Sequence, residues 1–228
     1  MTKDIAFDIK NIVDSIDTNI YGDIDIATSS ITTCDVKYSR FRKYLYYWDD
    51  NGQNQTTINN VLNGNQILFM GQPTIPNPQF FLQKPYFVSG THISANREWS
   101  VIGKDLFKKT PIIWLLETTR TRKYGRESVY DYSSDLRIFF LDETNPAQYK
   151  SLDHLEQVVN PMHKLVELFL QTIALNKVYL PVEDYELITF TRFGVEKQDG
   201  IFQNILDANL SGVELRLTLT KYKENCNC

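Results

Sequence analysis

The stretch PIIWLLETTRTRKYGRESVYDYSSDLRIFFLD, residues 111–142, decides the fold. Two apolar runs, Ile112-Ile113-Trp114-Leu115-Leu116 and Leu136-Arg137-Ile138-Phe139-Phe140-Leu141, bracket a polar, cationic insert. The insert carries Arg120, Arg122, Lys123 and Arg126, with Tyr124, Tyr130 and Tyr132 beside them. Runs rich in β-branched and aromatic residues suit a pleated, half-buried surface, so both are expected to be strands, paired antiparallel. Their connection far exceeds the about two to five residues of a plain hairpin. The excess is expected to form a projecting arm near 118–132 that touches another molecule.

Around this stretch, 228 residues and 26.6 kDa suffice for one well-filled core, and a single domain over 1–228 is expected. A hydrophobic share of 42% with 13% aromatics belongs to a globular chain rather than a disordered one. The net charge of −4 and pI near 5.4 give the surface as a whole no affinity for nucleic acid. No secretory leader is expected from the polar start Met1-Thr2-Lys3-Asp4. No apolar run reaches the about eighteen residues of a membrane span, so no membrane partner is expected. The cysteines are Cys34, Cys226 and Cys228, an odd set that suggests reduced thiols. The last two lie in a tail, 222–228, expected to fray. His92, His154 and His163 share no ligand spacing with them or each other, so neither metal nor cofactor is expected.

Ile5, Ile9, Ile12, Val13, Ile16 and Ile20 recur at helical spacing and predict an amphipathic helix over residues 4–19. Val36 to Trp48 is basic, aromatic and strand-like. Asp49 to Asn65, rich in Asn, Gln, Thr and Gly, is expected to be an exposed loop, with a hairpin turn at Asp49-Asp50-Asn51-Gly52. Four prolines between Gly71 and Pro85 exclude an inner strand from the middle of that segment. Tyr86 to Thr91 is expected to be a short strand ending at a Gly turn.

The strongest helical stripe runs from Leu152 to Ile173, giving one long helix over about 151–175. Pro161 interrupts it: either the helix kinks there, or a short first helix ends and Asn160 caps a second with Pro161 at its first position, the preferred reading. Leu187–Phe193, a segment near Ile201–Leu206, and Val213–Thr220 are expected strands. The last alternates apolar and polar throughout, so one face is expected to be buried and the other to meet water or a neighbour. The fold class is therefore α+β: an antiparallel or mixed sheet with an N-terminal helix and one long helix packed on it.

No catalytic motif emerges. The segment Asp49–Gly52 lacks calcium-loop spacing, Gly194, Gly200 and Gly212 lack phosphate-loop spacing, and no Gly-Lys-Ser/Thr occurs. Two basic groups stand out instead. Arg40, Arg42 and Lys43 interleave with Phe41, Tyr44, Tyr46 and Tyr47; they are expected to be a solvated face, with a DNA-facing or inter-ring patch as the alternative. Arg120, Arg122, Lys123, Tyr124 and Arg126 are expected to be a subunit-interface arm, with a DNA-facing lumen as the alternative.

The segments Pro85-Tyr86-Phe87-Val88-Ser89-Gly90-Thr91, Glu98-Trp99, Pro111 to Glu117, Pro161-Met162-His163-Lys164-Leu165 and Leu210-Ser211-Gly212-Val213-Glu214-Leu215 occur here in fixed order around the arm. In that order the chain resembles the head-to-tail connector and tail-terminator ring proteins of tailed bacteriophages, including the crAss-like group. The similarity spans most of residues 85–222. It implies a non-enzymatic virion protein that forms a homo-oligomeric ring, a hexamer or dodecamer, between portal and tail. The implied partners are further copies of the chain, adjacent portal, connector or tail proteins, and genomic DNA in the lumen without sequence specificity. The implied location is the virion, assembled in the host bacterial cytoplasm. Two other classes compete: a non-virion nucleic-acid-binding or processing protein, and another tail subunit of tube or baseplate type.

Overall fold

The computed structural model describes residues 5–19, 21–25, 30–35, 44–49, 52–58, 66–70, 79–82, 84–101, 109–116, 120–124, 131–198, 201–204, 206 and 208–221. Of the strands between 21 and 82, and of 120–124, 131–132, 195–198 and 201–204, it describes the backbone alone. Arg40, Arg42, Lys43 and Arg126 and the tail 222–228 lie outside the described residues.

In chain order, α1 spans Ile5–Asp14 and is followed by β1 Tyr21–Asp25, β2 Ser30–Asp35, β3 Tyr44–Asp49, β4 Gly52–Ile58, β5 Gln66–Met70 and β6 Gln79–Leu82. These six strands form one sheet in the order β1-β2-β5-β4-β3-β6. β4 corrects the expectation of a loop at 49–65. Its run Gln53-Asn54-Gln55-Thr56-Thr57 is polar, but β3 pairs with it from Asp49↔Gly52 to Tyr44↔Thr57, and β5 takes up its far end. Ladder hydrogen bonds to β3 and β5 set its conformation where composition suggests none. β6, which follows the proline-rich segment and itself contains no proline, is an edge strand.

The second half holds β7 Tyr86–Gly90, α2 His92–Val101, β8 Ile112–Leu116, β9 Arg120–Tyr124, β10 Asp131–Glu143, α3 Ser151–His154, a π-helical turn Leu155–Val159, and α4 Asn160–Asn176. Then come β11 Tyr185–Phe193, β12 Val195–Gln198, β13 Ile201–Asn204 and β14 Leu210–Thr220. The central sheet has the order β11-β14-β10-β8-β7, with β9 also on β10. β7 and β8 are parallel and every other pair is antiparallel, so the sheet is mixed and the fold is α+β.

Alternation along β8, β10 and β14 builds two cores. On one face Ile113, Leu115, Leu136, Ile138, Phe140, Val213, Leu215, Leu217 and Leu219 meet α1 and the long helix through Ile9, Ile12, Met162, Leu165, Phe169 and Ile173. On the other, Ile112, Trp114, Phe139, Leu141 and Leu210 meet Ala95 and Trp99 of α2, with Phe193, Leu206 and Ala208. Burying a side chain of this size stabilises by about 1.5–3 kcal/mol relative to exposure. α1 ends at Asp14 rather than at residue 19, because Asp17 turns its own carboxylate back to the Asn19 N–H. Tyr179 and Lys221 both bond the Asp8 carboxylate, at 2.7 and 3.5 Å, and tie α1 to the end of β14. Burial, together with that carboxylate, raises the Tyr179 hydroxyl well above its ordinary range. α2 is pinned to β7 by Tyr86, whose hydroxyl donates to Glu98 at 2.8 Å. Burial and the Glu98 charge push this tyrosine up to about 12.

Pro161 does not start a new helix. Helical dihedrals run through Val159 and Asn160, and the Asn160 N–H bonds Leu155 O across a π-turn. A proline removes an N–H and crowds the preceding turn; widening that turn keeps the helix continuous. The expectation that Asn160 caps a second helix is therefore corrected.

Candidate functional site

Residues 120–124 and 131–135 of the cationic insert pair with each other and continue the β8–β10 hairpin. β8 pairs the far half of β10 through Leu115↔Ile138, and β9 pairs its near half through Arg120↔Asp135, Arg122↔Ser133 and Tyr124↔Asp131. Four residues separate Leu115 from Arg120 but only two separate Asp135 from Ile138, so an irregularity of two residues breaks the ladder between β8 and β9. Such breaks bend a strand and re-aim the residues beyond the bend. Arg120, Arg122, Lys123 and Tyr124 of the expected arm thus lie together in β9. On its other side β10 pairs β14 from Ser133↔Thr220 to Glu143↔Leu210, so the hairpin is rooted in the middle of the sheet.

The sheet face beside this hairpin is polar. Arg137 on β10, Arg216 on β14 and Glu186 on β11 lie in one cross-strand row. Directly opposed like charges destabilise a sheet, and here Glu214 intervenes. Its Oε1 accepts from Arg137 Nε and from Arg216 Nε, each at 2.6 Å. Arg216 Nη1 also donates to Glu186 Oε2 at 3.1 Å. The Glu214 side chain is 1% exposed and the two arginines are 42% and 41% exposed. Burial alone would raise the Glu214 carboxyl; hydrogen bonds and charge from Arg137 and Arg216 outweigh it and hold the group below the ordinary 4.5. The bond to Glu214 in turn raises the Arg216 guanidinium.

One row along, Thr218 donates to Asp135 at 2.8 Å. Asp135, Arg137, Asp184, Tyr185, Arg216 and Thr218 line a shallow open cleft of about 480 Å³. Arginines are placed among these carboxylates, and no group of three or more His, Cys, Asp or Glu poised to hold a metal occurs among the described residues. His154 bonds Thr144 at 2.7 Å and His163 lies 3.4 Å from Thr189, and neither histidine is among the residues that line the cleft.

One expectation about this surface changes. The alternation of Val213–Thr220 does not give one wet face throughout: Glu214 is buried on the face expected to meet water, and the wet face begins at Arg216. A second hairpin, β12–β13, follows β11 and pairs only within itself among the described residues. β11 forms one outer edge of the central sheet and β9 an outer edge on the opposite side, each without a strand beyond it among the described residues. No protein-family model matches the chain, and no curated protein or solved structure matches it either.

Proposed function

We propose that this chain is a virion structural protein that forms a homo-oligomeric ring in the head–tail connector or tail terminator of a tailed bacteriophage, with DNA passing through its centre. The observation that carries the reading is the architecture of the central sheet. Its core is closed on both faces by the chain's own helices and aromatics. Yet its outer edges, β11 on one side and β9 and β7 on the other, have no strand beyond them among the described residues. Unpaired edges are aggregation sites unless a specific partner covers them. Edges on opposite sides favour a head-to-tail contact, which closes into a ring when the rotation permits.

The resemblance of residues 85–222 to connector and terminator proteins supplies the biological setting. The site's chemistry agrees with a structural role, because its arginines are committed to carboxylates rather than presented as an unbroken cationic track. The nucleic-acid-processing alternative would be favoured by carboxylates gathered alone in a cleft; here Asp135 and Asp184 share theirs with Arg137 and Arg216. Quantitative mass spectrometry of purified virions tests the assignment. Six or twelve copies per portal are expected, and virions that contain none of this chain would overturn it.

A further inference from the structure

We propose that β9 of one copy adds as a strand to Val182–Glu186 of the next, the segment that enters β11 and forms its first two residues, so that the central sheet runs on from subunit to subunit around the ring. The inference rests on the ring reading and names the surface that closes it.

Three observations converge. The first is strand direction. β9, β10, β14 and β11 alternate antiparallel across the sheet. In a ring whose axis runs along the strands, each copy repeats these directions. A neighbour's β9 therefore meets β11 antiparallel, the more stable pairing, and the alternation continues unbroken.

The second is charge. β9 carries Arg120, Arg122 and Lys123 within five residues. The chain entering β11 carries Glu183, Asp184 and Glu186, all exposed. One antiparallel register satisfies the whole set: Arg120 of the neighbour opposite Glu186, Arg122 opposite Asp184, and Lys123 opposite Glu183. Thr121 then falls opposite Tyr185, and Tyr124 opposite Val182. A register shifted by one residue would break all three pairs and turn every side chain to the wrong face.

The third is face and height. Arg120 and Arg122 occupy register positions level with Asp135 and Ser133, which belong to the same face as Arg137, Arg216 and Glu186. Asp184 lines the cleft on that face. Counting from Arg120 through Asp135 and Thr218, and one residue beyond the first β11 pair Tyr185↔Leu217, leads to Asp184, so the charge-matched register differs from a level one by two residues. A stagger of this kind is what a closed, tilted sheet requires.

Native mass spectrometry of the full chain under dilution tests the proposal with three variants. Glu183→Lys with Asp184→Lys, and separately Arg122→Glu with Lys123→Glu, should each raise the concentration at which rings dissociate by at least about tenfold. The combination of all four restores opposite charges in swapped order and should return to within about threefold of the parent. Thermal melting of the subunits reports folding independently; restoration by the combined variant cannot come from misfolded parts. Rings that ignore either pair of reversals, or a combined variant no better than the separate ones, would overturn the interface while leaving the ring standing. A parent chain that forms no ring would remove the underlying reading as well. Reversal at Arg122 and Lys123 that releases duplex DNA from an intact ring would assign β9 to the lumen instead.

Discussion

Gly212→Ala is expected to abolish the native sheet, at a cost above about 4 kcal/mol, the range reserved for a named structural catastrophe. A Cβ at this position would lie 2.0 Å from the Phe140 carbonyl oxygen and 3.0 Å from Leu141 Cα. Both are backbone atoms of β10, so no side chain can swing aside. Gly212 stands opposite Leu141 in the most extensive strand pair of the sheet, and β14 would have to part from β10 to admit a methyl group. Gly90→Ala is the milder contrast. Its φ of 120° is strained for any other residue, but the added atom would meet the Ser94 Cβ at 3.0 Å, a full ångström farther than the nearest contact at Gly212. Denaturant unfolding of the two variants should rank them far apart. A Gly212→Ala protein within about 1 kcal/mol of the parent would contradict the close approach of β10 and β14.

Glu214→Gln should be the second most damaging change. It leaves Arg137 and Arg216 facing each other across the ladder with no charge between them. Breaking a buried ion pair by removing one partner costs about 3–5 kcal/mol. Both guanidiniums are partly hydrated, which reduces the expected loss to about 2–3 kcal/mol. Adding Arg137→Gln to Glu214→Gln removes the repulsion, so the double variant should lose less than the two single losses combined, by about 1 kcal/mol. The pH dependence has a definite sign. The folded carboxyl of Glu214 is held below its ordinary 4.5, so its contribution is complete above that value and is lost as pH falls through the lowered one. The Gln variant should show a flatter acid limb in thermal melting, and an unchanged slope would remove Glu214 from the account.

The sequence discloses the elements that hydrophobic pattern alone determines. Ile112–Leu116, Leu136–Leu141 and Leu187–Phe193 form strands because they are short runs rich in β-branched and aromatic residues, and the stripe from Leu152 to Ile173 forms a helix because its apolar period is that of a helix. β4 escapes such a reading, since Gln53, Asn54 and Gln55 carry no pattern and its conformation comes from the partners on either side. α2 escapes because, among its residues 92–100, Ala95 and Trp99 alone are buried, four residues apart, too few for a stripe. The π-turn before Pro161 is a tertiary accommodation: Val158, Val159 and Met162 must all remain in the core, and a break at Asn160 would pull them apart.

The arm is visible in the sequence as a cationic insert, but not as a strand, because its pairing partners Asp131–Asp135 belong to the polar half of a strand whose other half is apolar. The burial of Glu214 leaves one legible signal. An arginine at position 137 interrupts an otherwise apolar run, and a charged pair two residues apart, Glu214 and Arg216, stands on the strand that turns out to be its neighbour. The pairing itself, far apart in sequence, is what composition cannot supply.

The native mass of the purified full-length chain tests the central claim most directly. The account predicts a discrete assembly of six or twelve subunits that persists on dilution to micromolar concentration and contains no nucleic acid. A protein that is monomeric at every concentration, in solution and when released from virions, would contradict it.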